Sequence, residues 1–264
     1  MAILKDIDNE SLKKIVDSTQ QLIIEKDIVN SFSTWFPKNH KNIEPLVTFY
    51  KNHKENLKNT IENEYKIHIE LKEYFKKSVK EENFSISLCN WIVRDWGGIR
   101  AFDASNHTDF IELLQNCKRT DFELNEEIIK KYSAKQWLSS FSKILSFYDP
   151  AKFVIIDART IHAINDIMRN ADVNYRFRMV YTQIKFLNNY NDEKLNKTNY
   201  NIFTGDKEYI IFNELIRYLN KMIRPEKTCK EKPYLLEMEL FEYSKNLQNK
   251  RSNRECQRKK GSKQ

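Results

Sequence analysis

The stretch Ser142-Lys143-Ile144-Leu145-Ser146-Phe147-Tyr148-Asp149-Pro150-Ala151-Lys152-Phe153-Val154-Ile155-Ile156-Asp157-Ala158-Arg159 decides how this chain is read. It joins three pieces: a helix that carries a lysine, a turn at Asp149-Pro150, and a short apolar run ending in a carboxylate where another helix begins. At about 100° per residue, Trp137, Leu138, Phe141, Ile144, Leu145 and Tyr148 share one helix face. Lys143 lies nearly opposite, with Ser139 and Ser140 beside it. The pattern predicts a core on one side and a lysine among small polar side chains on the other, where a bulky ligand can approach. A solvated surface lysine fits the same pattern. Asp157 also has two readings. It is a preferred helix N-cap residue, and the apolar run Phe153–Ile156 sets its carboxylate at the edge of a buried surface, where its orientation can be controlled.

Composition points to a helical protein. Of 264 residues, 40% are apolar, with 16 Phe, 13 Tyr and 4 Trp to fill a core, while only 4 Gly and 5 Pro interrupt it. So few breakers argue against a turn-rich β fold and for long helices. The expected organisation is a single helical domain over residues 1–249, with two helical lobes as a variant, followed by a basic tail over 250–264. Most of the formal charge of +8 sits in that tail: Lys250, Arg251, Arg254, Arg258, Lys259, Lys260 and Lys263 stand against Glu255. The tail reads as disordered, either solubilising or adding non-specific affinity for phosphate backbones.

The four cysteines, Cys89, Cys117, Cys229 and Cys256, are widely spaced and form no metal-binding pattern. They suggest free thiols in a reducing compartment, no metal site and no cofactor. No secretory signal or membrane span is recognisable, so a soluble cytoplasmic protein is expected.

Periodicity predicts helices over 9–30, most of 45–80, 84–95, 107–118, 124–131, 136–148, 158–169, 176–190, 208–224 and 233–249. Phe153–Ile156 is strand-like but too short to make a sheet alone, and 188–201 reads as a flexible connection. Ser133 and Gln136 fit a capping box. The helix over 84–95 breaks at Trp96-Gly97-Gly98, flanked by Arg94 and Arg100. This turn has a functional reading, with Trp96 stacking on a base while an arginine holds phosphate. Its structural reading is a glycine cap beside a core tryptophan. His107 and His162 have no partner pattern and read as structural or solvated.

A short helix, a hairpin, a second helix with a lysine, and an apolar run into Asp at a helix start together resemble the helix-hairpin-helix DNA glycosylases. The likeness is greatest to 8-oxoguanine DNA glycosylase-like proteins of bacteria, through Ser142-Lys143-Ile144-Leu145, then Pro150, then Asp157. It covers residues 84–170. The first hairpin helix would be Glu126–Lys131, the hairpin Tyr132–Lys135 (without a glycine), and the second helix Gln136–Tyr148. The resemblance implies a helix-hairpin-helix glycosylase-like fold and a DNA N-glycosylase that flips out and excises a damaged or modified base. Asp157 is then the catalytic aspartate, and Lys143 is the candidate amine that attacks the sugar and forms a Schiff base. Ser133, Lys135 and Arg159 would face DNA, joined by Arg94, Trp96 and Arg100 of the glycine turn. The implied partner is double-stranded DNA met by a monomer, in base-excision repair or in defence against phage DNA. Two alternatives stand beside it. One is a non-enzymatic helical nucleic-acid-binding protein in which Asp157 only caps. The other is a metal-dependent nuclease built on Glu70-Leu71-Lys72, where Ile67, Ile69 and Leu71 alternate as in a strand.

Overall fold

The structure, a computed structural model, describes residues 7–24, 82–119, 137–178, 180, 182, 184–187, 200–203, 208–224 and 232–261. Among these the protein is mostly helical. The chain divides into two compact units. A central unit comprises Val29–Ile155 with Lys232–Tyr234, and a terminal unit comprises Met1–Ile28, Ile156–Glu231 and Leu235–Gln264.

In chain order the elements are α1 (Asn9–Ile24), α2 (Glu82–Asn90) running on into a π-helical turn (Trp91–Trp96), a 3-10 turn (Ala104–His107), α3 (Thr108–Arg119), α4 (Leu138–Tyr148), α5 (Ala158–Asn170), β1 (Tyr175–Phe177), β2 (Asn201–Phe203), α6 (Glu208–Ile223) and α7 (Pro233–Gly261). The expected helices over 45–80 and 124–131 lie outside the described residues. So do the Ser133 cap, Lys135 and the Glu70-Leu71-Lys72 segment.

The central unit is organised by aromatic packing. Phe141 of α4 meets Phe110 of α3 with ring centroids 4.6 Å apart and meets the His107 ring edge-on at 5.3 Å. His107 in turn stacks on Phe102. The end of α2 is tied to the following turn by Asn90, whose Oδ1 accepts the backbone N–H of Ala104 at 2.7 Å. The run Phe153–Ile156 is buried but irregular, not a strand.

In the terminal unit α5 is the hub. Ile161, Ala163, Ile164, Ile167 and Met168 are all buried, and α1 contacts both α5 and α6. The sequence predicts a helix over 176–190. Tyr175–Phe177 is instead a strand paired in parallel with Asn201–Phe203, in the register Tyr175↔Asn201, Arg176↔Ile202, Phe177↔Phe203. Aromatic residues favour a pleated backbone, and a side chain completes the ladder. Asn165 of α5 donates from Nδ2 to the Phe177 carbonyl at 2.9 Å and accepts the Phe177 N–H on Oδ1 at 2.8 Å. A buried amide thus serves as a neighbouring strand.

Residues 250–261, part of the basic tail expected from residue 250, continue α7, which spans Pro233–Gly261. The physical reason is nucleation. Forming a first helical turn is costly, but extending a helix already held by packing is not, and Lys, Arg, Gln and Glu are good helix formers.

Asn165→Ala should therefore leave the Phe177 N–H and carbonyl buried and unpaired. Each such group costs about 1–3 kcal/mol. Denaturant titration should show a lower midpoint with an unchanged slope, whereas replacing an exposed neighbour such as Asn170 should change it little.

Candidate functional site: Lys143 in a buried polar stripe, and Asp157 at a helix cap

The sequence puts Lys143 opposite the core face of its helix. The structure buries both faces. Leu138 and every residue from Ser140 to Phe147 are buried, and Lys143 is only 5% exposed. The polar face is therefore inside the central unit. Ser139, Ser142, Lys143 and Ser146 follow i, i+3, i+4, i+7 spacing and form one stripe along α4. Lys143 Nζ donates to Ser139 Oγ at 2.9 Å and to the Ser139 carbonyl at 3.3 Å. Ser142 Oγ donates to the same carbonyl at 3.1 Å. The hydroxyls of Ser140 and Ser146 are buried without a hydrogen-bond partner. Burying polar groups costs free energy unless they pair, and within the stripe only the Ser146 hydroxyl is left without a partner.

What lets Lys143 lie there is Gly97. The π-helical turn Trp91–Trp96 closes with Gly97 N–H donating to the Ile92 carbonyl at 2.9 Å, and Ile99 N–H donates to the Val93 carbonyl at 3.0 Å. A Cβ on Gly97 would sit 2.7 Å from Lys143 Cδ, 2.9 Å from Lys143 Cε and 2.8 Å from the Val93 carbonyl oxygen. The φ of −82° at Gly97 is ordinary, so its glycine serves space and not conformation. Gly98 is the reverse case, with φ of +71° and open space around it. The glycine turn and the lysine, singled out separately in the sequence, are thus in contact. Arg94 and Arg100 on the same turn are exposed. The backbone of Trp96 ends the π-helical turn, and its side chain is not described.

Asp157 belongs to the terminal unit, so the two expected catalytic residues fall in different units. Its Oδ1 accepts the backbone N–H of Arg159 at 2.9 Å and of Thr160 at 3.0 Å, and its own N–H donates to Thr160 Oγ1 at 2.9 Å. This reciprocal cap fixes the half-buried carboxylate at the start of α5. Arg159 is half-buried, with Cζ 5.4 Å from the centre of the Phe241 ring and Nη1 buried without a partner. Burial holds its guanidinium below the ordinary value, opposed by the charges of Asp157 and Glu242. His162 is buried, with Nδ1 3.0 Å from Ser244 Oγ.

Sequence reasoning passes over Glu208. It opens α6, is 7% exposed, and its Oε1 is buried without a partner. Burial pushes its carboxyl up to about 8 against the pull of Arg178. An apolar run directly after an acid is the available signal. Cys89 is wholly buried, and burial pushes its thiol up, which makes it an inert core residue rather than a nucleophile. Among the described residues, no group of three or more His, Cys, Asp and Glu could hold a metal ion, and no helix is long and apolar enough to cross a membrane. No protein-family model, curated protein or solved structure matches the chain.

Gly97→Ala should be the costliest small substitution in the central unit. The Lys143 stem can move but the Val93 carbonyl cannot, so a loss of about 1–3 kcal/mol is expected. Gly98→Ala has room and meets only the left-handed φ, at a cost of about 1 kcal/mol. Thermal melts of both variants check the order.

Glu208 gives a pH dependence. Its carboxyl ionises near 4.5 when exposed and near 8 when folded. Below the lower value both states are protonated. Between the two, the folded state holds the proton that the unfolded state releases, so stability falls as pH rises through this window. Urea midpoints at about pH 5 and about pH 9 should differ in the parent, and Glu208→Gln should remove that part of the difference.

Proposed function

We propose that the chain is a DNA N-glycosylase that releases a damaged or modified base from duplex DNA, with Lys143 as its candidate nucleophile and Asp157 as its carboxylate. The observation that carries this reading is Lys143: an amine buried in a serine stripe, its stem laid on Gly97, where a Cβ would meet it at 2.7 Å. An amine held out of bulk solvent in this way supports the reading. In the reaction, the target nucleotide leaves the stack. The bond between the base and C1′ breaks, its electron pair leaving with the base, and positive charge develops on the sugar. A fixed carboxylate stabilises that charge. The neutral amine bonds to C1′ and gives up a proton, and ring opening leaves a Schiff base that water hydrolyses or that eliminates the 3′ phosphate. With water as the nucleophile, only the base is released.

A second reading, a non-enzymatic nucleic-acid-binding protein, is favoured by the capping box, because the hydrogen bonds at Asp157 Oδ1 are those of an ordinary helix start. One experiment separates the two. The parent protein is incubated with duplexes carrying a panel of modified bases, in chelator, and released bases are read by mass spectrometry. Asp157→Asn keeps the cap, since Asn caps as well as Asp, and should melt like the parent while losing base release by about 10²-fold or more. Lys143→Gln should abolish borohydride-trapped protein–DNA adducts. Full activity of Asp157→Asn on a duplex that the parent cleaves would sink the mechanism. Release lost in Asp157→Asn but kept in Lys143→Gln assigns the attack to water.

A further inference from the structure

The parallel pair β1–β2 begins and ends on a backbone bond. At its start the Asn201 N–H donates to the Asn174 carbonyl at 3.0 Å, and at its end the Arg178 N–H donates to the Phe203 carbonyl at 3.1 Å. The second bond has a further acceptor. The Arg178 N–H also reaches the carboxyl of Glu208, the first residue of α6. One backbone N–H thus joins the end of β1, the end of β2 and the start of α6. Glu208 is the weak member of this junction. It is buried, and while one carboxyl oxygen takes the Arg178 N–H, Oε1 is buried without a partner. A neutral carboxyl fits such a place at modest cost. A carboxylate does not, because a buried charge needs both a counter-charge and hydrogen bonds. Among the described charged groups Arg178 alone acts on Glu208, and Arg178 is exposed, so water weakens its pull. Glu237 of α7 acts on the neighbouring Tyr209 instead, and α1, which also packs on α6, brings no charge to bear on Glu208. An acid in the first turn of a helix is ordinarily favoured as the anion. Here it is turned inward, and local conflicts of this kind concentrate at functional positions.

We propose that the junction of β1, β2 and α6 is a proton-operated latch, closed while Glu208 rests on the Arg178 N–H and opened when its carboxylate swings out into water. In the closed form the carboxyl is neutral. On opening, its proton passes to solvent, and the end of β1 parts from the end of β2 and the start of α6. The movement is confined to the junction, because what lies beside it is fastened separately. Phe212, one turn into α6, packs edge-on against Phe177 with ring centroids 5.3 Å apart. The Phe177 N–H and carbonyl are both held by the Asn165 side chain. The direction follows from linkage. The carboxyl ionises near 4.5 in water and near 8 in the closed junction. Between these values the open form releases a proton that the closed form keeps, so each pH unit favours opening by about tenfold. Below both and above both, the balance does not move with pH. The latch concerns the fold alone and is independent of base release.

The test is amide hydrogen exchange of the full chain, followed by NMR between about pH 5 and about pH 8, the window in which Glu208 is protonated only when closed. Base-catalysed exchange of any amide accelerates by about tenfold per pH unit, and latch opening adds a second factor of about ten, so the Arg178 amide should accelerate by about 100-fold per unit. Low urea should leave its rate unchanged, because a local opening exposes little surface. The Phe177 amide, held by Asn165, should exchange more slowly and respond to urea. Glu208→Gln is neutral at every pH and should return the Arg178 amide to about tenfold per unit. A parent Arg178 amide that accelerates by only about tenfold per unit overturns the inference. So does a steep dependence that persists in Glu208→Gln, which assigns it to another group. A steep dependence that follows urea as Phe177 does also overturns it, because the opening is then global unfolding. Side-chain carbon shifts of Glu208 in the parent give a second readout should the variant fail to fold. Their midpoint should lie well above the ordinary carboxylate range, and a midpoint near 4.5, as in water, overturns the latch.

Discussion

The stem of Lys143 lies on the bare backbone of Gly97, and the burial of the polar face of α4 depends on that contact. A helix buried on one face can send its polar residues into water. A helix buried on both faces cannot, and α4 is of this second kind. Its serines and lysine must find partners inside, and the Ser139 carbonyl and hydroxyl are where Lys143 Nζ and Ser142 converge. That solution is available only because the π-helical turn at Trp91–Trp96 delivers a residue without a Cβ to the lysine's flank. Single π-helical turns cost regular hydrogen bonding and persist chiefly where function keeps them. Here the turn makes room for an amine.

The terminal unit manages its buried polar groups differently: nearly each has a dedicated partner. Asn165 completes the Phe177 backbone, Tyr243 and Arg169 both donate to Asp166, and Arg176 lies over the Tyr200 ring while its guanidinium donates to the Val173 and Tyr175 carbonyls. Satisfied networks of this kind hold one packing arrangement in place. Against that background two of the three groups with a buried partnerless atom stand out, the third being Glu239, whose other oxygen pairs with Arg224. Glu208 keeps one buried oxygen without a partner while Arg178 supplies its carboxyl with a backbone hydrogen bond and a charge, and Arg159 keeps a partnerless Nη1 beside the Asp157 cap. Both sit at the first turn of a helix, where backbone N–H groups already favour anions.

Much of the helical framework is legible in the sequence. The start of α5 is written in Asp157 and the apolar periodicity after it, and the end of α2 in Gly97-Gly98. The boundaries of α3 and α6 follow from spacing, and the end of α4 from the Asp149-Pro150 turn. The misses have a common cause. Periodicity reports which faces of an element are apolar, not how many neighbours will surround it. Lys143, with Ser139 and Ser140 beside it, reads as a face open to a ligand or to solvent because nothing in one helix says that a second layer covers it. The strand Tyr175–Phe177 reads as helix because its partner lies far along the chain and its ladder is finished by an asparagine, which carries no strand signal.

The long helix α7 shows how packing and propensity divide the work. In the first half of α7, Leu236, Leu240 and Tyr243 are buried, and Tyr243 and Ser244 meet Asp166 and His162 of α5. In its second half the helical backbone continues to Gly261 through a segment without an aliphatic or aromatic residue. Burial therefore fixes the first half, and the second follows from it by propagation. Each further residue adds one backbone hydrogen bond to a helix already nucleated, so charge-rich residues that could not start a helix can extend one.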